Sequence, residues 1–264
     1  MPSKSLYHEE IKHCLPTGQA GQTSLPDIPK INITIPAYNE EQILEANVLR
    51  LFNFCQKRLL DHDQWQIIIT DNASTDHTAT IAQKLSQAHP QIIYFPLPKK
   101  GKGLAVKQAW QKFPADWYVF MDADLSTDLA ALPALINKLK GHQFDLVMGS
   151  RYLPNSQIKR IWIRILISKI YNLLIRILFN CPVKDMANGF KGANQNIITN
   201  VLPSVQNNKW FFDSELVLLT HLNGYQIKEI PVVWQEAQRP TRLNIWQTSR
   251  EYLKELLKLK FRKR

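Results

Sequence analysis

The sequence predicts an α/β protein built on a doubly wound, mostly parallel β-sheet, and three observations lead to this prediction. Apolar residues make up 45% of the 264 residues, enough for the core of one ordinary α/β domain or two small ones. Short runs rich in Ile, Val, Tyr and Phe alternate with longer segments of helical spacing. A polar stretch follows each strand-like run, which is the spacing of strand, loop and helix in a parallel sheet.

The elements follow one another in a regular order. Residues 1–30 carry Gly, Pro, Gln and Ser without an apolar period, and are expected to form an N-terminal extension. The main domain is expected over residues 31–243. Its strands are predicted at residues 31–35, 65–70, 92–95, 117–121 and 144–149, where short runs are rich in β-branched and aromatic residues. Its helices are predicted at residues 39–60, 74–89, 104–113 and 129–140, where apolar residues recur with helical spacing.

The distribution of charge predicts an anionic partner. The formal net charge is +11, and the chain has no acidic residue between Asp145 and Asp185, although many Lys and Arg residues lie there. A second basic cluster, KLKFRKR, closes the sequence. Such positive fields attract nucleic acid, anionic lipid or a phosphorylated substrate, and charge by itself does not choose among them.

The cysteines and the apolar runs bear on the compartment. Cys14, Cys55 and Cys181 stand far apart without metal-type spacing, so reduced thiols in a cytosolic setting are expected. Residues 1–30 lack the charged and then apolar run of a signal peptide. No window holds the roughly 18 uninterrupted apolar residues of a membrane span, so no transmembrane helix is predicted.

Residues 156–182 have the pattern of a helix at a membrane surface. Polar residues recur at every fourth position from 160 to 180, so one helix or two short ones would carry a slowly winding polar stripe. Lys and Arg together with Trp162, Ile and Leu suit a helix that lies in the interface plane. A buried core helix is the alternative. Residues 244–264 repeat the design as a basic amphipathic C-terminal helix, with a solvated tail as the alternative.

The functional candidates lie in the loops after the strands, because ligands of doubly wound sheets bind at the carboxyl ends of strands. The five loops contain PAYNEE, DNASTD, PLPKKGKG, DADLSTD and GSRY. The GKG run is neither a Walker loop nor a dinucleotide fingerprint, since Lys102 is not followed by Ser or Thr and Val106 occupies the third glycine position. It is a flexible basic loop that can approach phosphate.

Asp122 and Asp124 end an apolar strand at this ligand edge. Alternate strand residues point the same way, so both carboxylates can face one hard cation. Mg²⁺ or Mn²⁺ takes one or two carboxylates in such sites and completes its shell with diphosphate oxygens and water. The sequence therefore favours a metal site over a simple turn here. A second pair, Asp61 and Asp63, precedes a strand in a polar stretch and is interpreted as a solvated turn.

Eight motifs then occur in order: IPAYNEE, DNASTDHT, KGKGLAVKQA, FMDADLSTD, VMGSRY, NGFKG, FFDSEL and EIPVVW. As a set, over residues 31–243, they resemble the family 2 glycosyltransferases of the GT-A fold. More closely, they resemble the branch that contains dolichyl-phosphate mannose synthase and dolichyl-phosphate β-glucosyltransferase. The resemblance implies that the predicted sheet has the GT-A arrangement and binds a nucleotide sugar.

The resemblance also implies a role for each matching residue. The donor would be bound by Pro36, Tyr38, Glu40, Asp71, Lys102, Asp122 and Arg242. The metal on the donor diphosphate, Mg²⁺ or Mn²⁺, would be held by Asp122 and Asp124. The phosphate of the acceptor would be held by Arg151, Arg164 and Ser168. The catalytic residues would be Asp122, Asp124 and Arg151.

The chain departs from the family pattern at three places. Asn72 and Ala73 stand where the family usually has Asp and Gly after strand two, which bears on base contacts. Ser126 stands where mannose synthases often carry Gln, and the run LST is closer to the glucosyl branch. Thr-Arg-Leu around Arg242 replaces the family's Ser-Lys-Leu, which keeps the charge but changes its geometry.

The implied reaction is an inverting transfer of a hexose to a polyprenyl phosphate, dolichyl or undecaprenyl, with UDP-glucose the better candidate for the donor. A phosphate monoester is mostly dianionic at neutral pH, so this acceptor needs no general base. GDP-mannose as donor stays open, as does transfer to a glycan hydroxyl, which would need a base such as Asp213 or Glu215.

A basic protein without catalytic activity, binding nucleic acid or membrane, is the alternative from another class. This alternative does not explain why the DAD run stands at the end of an apolar strand. We therefore expect an enzyme bound peripherally to an anionic membrane surface on the cytoplasmic face, without a nucleic-acid partner.

Overall fold

The computed structural model describes residues 31–59, 64–159, 162–235 and 245–262. The predicted N-terminal extension, the Asp61 and Asp63 pair and Arg242 lie outside the described residues. The strands are β1 (Ile31–Ala37), β2 (Trp65–Asp71), β3 (Ile92–Pro96), β4 (Trp117–Met121), β5 (Leu146–Ser150), β6 (Gln157–Lys159), β7 (Phe190–Asn194), β8 (Ile227–Pro231) and β9 (Val233–Gln235). The helices are α1 (Leu44–Arg58), α2 (Thr78–Ala88), α3 (Lys102–Lys112), α4 (Ala131–Lys140), α5 (Trp162–Phe179), α6 (Gln195–Asn200), α7 (Phe212–Leu222) and α8 (Ile245–Phe261).

The main sheet has seven strands in the order β3-β2-β1-β4-β7-β5-β8. β1 pairs in parallel with β2 and β4, β2 with β3, and β5 with β8. β7 is antiparallel to both of its neighbours, with Phe190 opposite Met121 of β4 and Lys191 opposite Met148 of β5. β6 and β9 form a separate parallel pair. The prediction of a mostly parallel α/β sheet is confirmed, with β7 as the inserted antiparallel strand.

Each face of the sheet is covered by helices, because the central strands are apolar on both sides. β4 shows this in one strand: Val119 and Met121 belong to the core with α1, α2 and α4, whereas Tyr118 and Phe120 belong to the core with α3, α6 and α7. All four side chains are buried. The two cores hold the strand ends in place, so the loops after β1, β2 and β4 emerge together at one edge.

Within residues 156–182, the described residues include the short strand β6 and one 18-residue helix, α5, rather than two short helices. Asn172, Ile175 and Phe179 form the buried side of α5. Helix α8 also packs on the second core, where Leu256 is fully buried. Among the helices of the described ranges, none combines the length and the apolar character needed to span a bilayer.

Candidate active site

The loops after β1 and β2 are tied together by side chains. The backbone N–H of Asn39 donates to Ser74 Oγ at 3.0 Å, and that of Glu40 donates to Thr78 Oγ1 at 2.8 Å. Glu41 reaches the same loop, with its Oε2 2.8 Å from His77 Nδ1. The polar residues of PAYNEE and DNASTD therefore fix one another and give this edge a defined shape.

The predicted donor residues Pro36, Tyr38 and Asp71 lie at this edge. Pro36 is the second-last residue of β1 and lies opposite Thr70 of β2. Tyr38 directly follows the end of β1. The ammonium of Lys100 lies 3.6 Å from the centroid of the Tyr38 ring. Asp71 is buried, and its two oxygens accept from Ser74 N at 3.0 Å and from Tyr94 Oη at 3.4 Å.

Ala73 follows Asp71 in a left-handed backbone conformation, with φ of 57°. A residue with a Cβ is disfavoured there by about 1 kcal/mol relative to Gly. This conformation gives a physical reason for the glycine that the family pattern has at the same place.

The predicted Asp122 and Lys102 meet in a buried lysine–aspartate cluster of Lys102, Asp122, Lys191 and Asp213. Lys102 Nζ lies 2.8 Å from Asp122 Oδ1 and 2.9 Å from Asp213 Oδ2. Lys191 Nζ lies 3.2 Å from Asp213 Oδ1 and also donates to the Asn188 carbonyl. Asp122 is the open member, with 39% of its side chain exposed, whereas the other three side chains are buried. The cluster therefore meets solvent at Asp122.

The charges of the cluster shift one another's titration. Burial favours neutral Lys102, but Asp122 and Asp213 outweigh it and raise the Lys102 pKa above its ordinary value. Burial dominates at Lys191 and lowers its pKa, with Lys102 acting in the same direction. Burial also raises the pKa of Asp122, against the opposing effect of Lys102. Lys102 is thus the firmly charged member.

Asp122 also touches backbone. A Cβ built on Gly189 would lie 1.9 Å from Asp122 Oδ2, so only glycine permits this approach between β7 and the end of β4. Asp124, two residues on, accepts a hydrogen bond from Ser126 N at 3.0 Å and closes the local turn. The stretch DADLSTD therefore contains both a tight turn and an aspartate that opens to the sheet edge.

The two carboxylates fit a divalent metal that takes its other ligands from a diphosphate. Asp122 is half-exposed at the edge, and Asp124 is only partly buried beside it. Throughout residues 31–59, 64–159, 162–235 and 245–262, His, Cys, Asp and Glu side chains nowhere gather in the threes that would hold a metal by themselves. Mg²⁺ and Mn²⁺ bind through one or two carboxylates plus phosphate oxygens in such incomplete sites.

Arg151 is also at this edge, but most of its guanidinium is used by a buried Arg151–Asp185 pair. Nε and Nη2 of Arg151 donate to the two oxygens of Asp185 at 2.8 and 2.7 Å, and the Arg151 backbone N–H adds a third bond at 2.9 Å. Asp185 is fully buried. Burial disfavours the charge of Arg151, yet Asp185 outweighs it and raises the Arg151 pKa.

Arg164 and Ser168 lie one turn apart on α5, both partly buried. The next residue in this row, Asn172, accepts a hydrogen bond from Met186 N at 3.2 Å, directly beside Asp185. One residue earlier, Tyr171 Oη donates to Ser214 Oγ at 2.7 Å, directly beside Asp213. Through Asn172 and Tyr171, helix α5 therefore contacts the segments that carry Asp185 and Asp213.

Asp185 and Lys191 are functional candidates that sequence reasoning missed, and Asp213 appeared there only as a possible base. Each of these charged side chains can be buried because a residue distant along the chain carries the opposite charge and pairs with it. The local periodicity of the sequence does not indicate such a partner. The signal that was present is a charged residue inside an otherwise strand-like or helical apolar run, as in NGFKG and FFDSEL.

The fold, with acidic side chains at the carboxyl edge and an antiparallel strand inserted beside β4, is of the GT-A type. The sequence profile described as glycosyl transferase family 2 matches residues 32–202, and the chain belongs to that family.

Curated relatives are similar over most of the chain. The glycosyltransferase AglD of Haloferax volcanii is 28% identical over 207 residues, which are 78% of this chain but 33% of AglD. A dolichyl-phosphate beta-glucosyltransferase of Saccharomyces cerevisiae is 28% identical over 259 residues, which cover 87% of this chain and 77% of the yeast protein. The chain thus spans a third of the length of one relative and about three quarters of the other.

Solved structures show the same fold. Glucosyl-3-phosphoglycerate synthase from Mycobacterium tuberculosis, crystallised with Mn²⁺, UDP and phosphoglyceric acid, has a TM-score of 0.67 at 19% identity, covering 88% of this chain and 78% of that one. The same protein with Mg²⁺ and UDP has a TM-score of 0.64 at 18% identity, covering 88% of this chain and 79% of that one.

Proposed function

We propose that this glycosyltransferase moves a hexose from a nucleotide diphosphate sugar, UDP-glucose in the first instance, to a polyprenyl phosphate at an anionic membrane surface. A phosphate oxygen of the acceptor attacks the anomeric carbon while the bond from that carbon to the donor diphosphate breaks. The nucleoside diphosphate leaves from the opposite face, so an α-linked donor gives a β-linked product. The curated dolichyl-phosphate beta-glucosyltransferases are similar to this chain over most of its length.

The donor would lie across the loops after β1, β2 and β4. Pro36, Tyr38, Glu40 and Asp71 would surround the nucleoside. Arg242, the remaining donor residue that the family pattern implies, lies outside the described residues. Lys102 would face the diphosphate, since its ammonium is already fixed beside Asp122. A divalent metal held by Asp122 and Asp124 would neutralise the charge that grows on the departing diphosphate.

The state of the two candidate bases, Asp213 and Glu215, supports an acceptor that needs no base. The two carboxylate oxygens of Asp213 accept hydrogen bonds from Lys102 and Lys191. Glu215 accepts from the backbone N–H groups of Gln206 and Asn207 at 3.1 and 2.7 Å, and Arg262 lies 3.4 Å from its other oxygen. Both carboxylates that could serve as the base for a glycan hydroxyl are thus already bound by donors of the protein. A phosphate monoester, with a second pKa near 6, is already an anionic nucleophile.

Arg164 and Ser168 would hold the acceptor phosphate. Residues four apart on a helix share a face, so a guanidinium and a hydroxyl can bind the same group. Arg151 would complete the grip with Nη1, the nitrogen that Asp185 does not use. Because Asp185 fixes its direction, Arg151 would orient the phosphate with little loss of side-chain entropy.

The observation that best supports a lipid acceptor is the exposed apolar surface of α5 and α8. On α5, Trp162 and Ile177 are 71% and 70% exposed, and on α8 Phe261 is 80% exposed. Other apolar residues with large exposed fractions lie between them: Ile163, Leu166, Ile170, Leu173, Leu174, Leu253 and Leu257. Lys and Arg residues of both helices border this surface, which suits an anionic bilayer. The protein would bind there peripherally, on the cytoplasmic face.

Transfer to a lipid phosphate tests the proposal directly. We expect purified protein with Mn²⁺, UDP-glucose and a detergent-dispersed polyprenyl phosphate to form polyprenyl-phosphate β-glucose, identified by mass spectrometry and the anomeric coupling in NMR. Transfer to glycan hydroxyls but not to the lipid phosphate would overturn the proposal.

Thermal protection tests the donor. With Mn²⁺ present, UDP-glucose at a hundred times its dissociation constant should stabilise the fold by about 2.7 kcal/mol. Equal concentrations of GDP-mannose should protect less. Protection by GDP-mannose alone would mean that GDP-mannose rather than UDP-glucose is the donor. It would not bear on the proposed lipid acceptor.

Two arginines of α5 give a matched test of the phosphate grip. Arg164→Ala should lower transfer at least tenfold, since a charged hydrogen bond contributes about 1.5–3 kcal/mol, and should leave donor affinity unchanged. Arg176→Ala removes the same charge from an exposed position later in the helix. It should weaken vesicle binding in a salt-dependent way and spare turnover in detergent. Equal losses of turnover would move the acceptor phosphate away from Arg164.

A further inference from the structure

Helix α8 reaches the loop before α7 through Tyr252. Tyr252 Oη donates to the carbonyl oxygen of Trp210 at 2.9 Å, and its ring meets that of Phe211 edge-on at 5.7 Å. The ring of Tyr171 from α5 lies 5.3 Å away on another side. The two amphipathic helices therefore meet at a tyrosine pair directly beside the first turn of α7.

The same loop, residues 206–211, holds the first turn of α3. Its Lys209 and Asn208 carbonyls accept from the backbone N–H groups of Gly103 and Leu104 at 3.3 and 3.1 Å. A Cβ built on Gly103 would lie 2.5 Å from the Cβ of Phe212, so the two segments touch without space for a side chain. Any shift of this loop must therefore move the start of α3.

Lys102 sits in that first turn. Its ammonium bridges Asp122 and Asp213 and lies 5.3 Å from the centroid of the Trp210 ring. Trp210 is thus held by Tyr252 at its carbonyl and faces Lys102 with its indole.

We propose that Tyr252 is a positioning residue, which seats the 206–211 loop against α3 and so fixes Lys102 for the donor diphosphate. The inference rests on the proposed function, because it assigns Tyr252 to the donor side of that reaction. It makes α8 more than a membrane-surface helix: the seating of α8 on the domain sets the affinity for the nucleotide sugar.

Amide hydrogen exchange tests the positioning without any turnover. Tyr252→Phe keeps the rings and removes only the hydroxyl that holds Trp210. We expect the amides of Gly103 and Leu104 to exchange about threefold to tenfold faster, the effect of losing one neutral hydrogen bond, while amides of β1 and β2 stay unchanged. Tyr225→Phe is the matched control, at the start of β8 on the opposite sheet edge. Unchanged exchange at Gly103 and Leu104 in Tyr252→Phe would overturn the proposal.

Kinetics then separate positioning from general damage. In Tyr252→Phe the KM for the nucleotide sugar should rise by the same threefold to tenfold, while the KM for the lipid phosphate and the binding to vesicles stay at wild-type values. A rise in both KM values would overturn the specific role. If wild-type protein binds no nucleotide sugar, the proposed function fails, and the exchange result still decides whether Tyr252 seats the loop.

Discussion

The lysine–aspartate cluster and the Arg151–Asp185 pair are two ways of burying charge at the same edge of the sheet. In the pair, a fully buried carboxylate is matched by a planar guanidinium and a backbone N–H, so all of its strong bonds stay inside the protein. In the cluster, two ammonium groups share Asp213, and Lys102 also reaches Asp122, which remains 39% exposed.

The difference between them indicates which site can respond to a ligand. Guanidinium and carboxylate match in a fixed geometry, whereas an ammonium is a point charge that can exchange one oxygen for another. We therefore expect the Arg151–Asp185 pair to act mainly on stability and the lysine–aspartate cluster mainly on activity. Changes of one charge in each should separate the two effects.

The largest effect is expected at Asp122. Asp122→Asn should lower kcat/KM by roughly a thousandfold, about 4 kcal/mol, because under the proposed function it removes a carboxylate that would hold the metal on the donor diphosphate. Its melting temperature should stay near the wild-type value, since the side chain is half-exposed. Asp116→Asn is the control, an exposed aspartate just before β4, and should be silent in both assays. A large fall in melting temperature at Asp122→Asn would make the cluster a structural element.

The second effect is expected at Asp185. Asp185→Asn leaves the buried Arg151 charge without its carboxylate and should cost about 3–5 kcal/mol of unfolding free energy. For a chain of this size that is a fall of roughly 10 °C in melting temperature, measured by calorimetry. A stable Asp185→Asn protein that has lost transfer would reverse the comparison and make the pair's main contribution one to activity.

The smallest effect is expected at Glu229, which supports the pair by accepting from the backbone N–H groups of Lys184 and Asp185. Burial raises the Glu229 pKa above its ordinary 4.5, so the folded state retains the proton longer than the unfolded state. The contribution of Glu229 to wild-type stability is thus greatest below pH 4.5 and is lost as pH rises through its folded pKa.

Glu229→Gln should cost about 1 kcal/mol at low pH, where both side chains are neutral. The difference in unfolding free energy between the wild type and Glu229→Gln should narrow as pH rises, because only the wild type has an ionisable side chain at this position. Denaturant unfolding at pH 4 and pH 7 measures both values. A difference that widens with pH would contradict the raised Glu229 pKa.

The sequence predicts the first five strands well because buried parallel strands are short and apolar throughout. The boundaries of β4 are the predicted ones, Trp117–Met121. The same reasoning places the loops after β1 to β4 at one edge, where the structure brings Lys102, after β3, to 2.8 Å from Asp122, after β4. Position along the chain is sufficient for this because the edge of a parallel sheet collects the carboxyl ends of its strands.

What the sequence does not predict depends on partners that are distant along the chain. Asp185 lies 34 positions from Arg151, and Lys102 lies 111 positions from Asp213. β7 was missed for the same reason: FKGAN contains a buried lysine that pairs with Asp213, 22 positions away. Local periodicity measures burial but does not identify the atom that compensates a buried charge.

The insertion of β7 between β4 and β5 has a consequence for synthesis. β1 to β4 can pair among themselves early, but the free edge of β4, with Tyr118 and Phe120, must wait for residues 190–194 before it is covered. β5 likewise cannot join the sheet until β7 arrives. A nascent chain stalled between β5 and β7 therefore presents an unpaired aromatic strand edge, the feature that invites aggregation. Long-range closure of this kind is slow, so we expect the ribosome-bound half-sheet to be the species that chaperones protect.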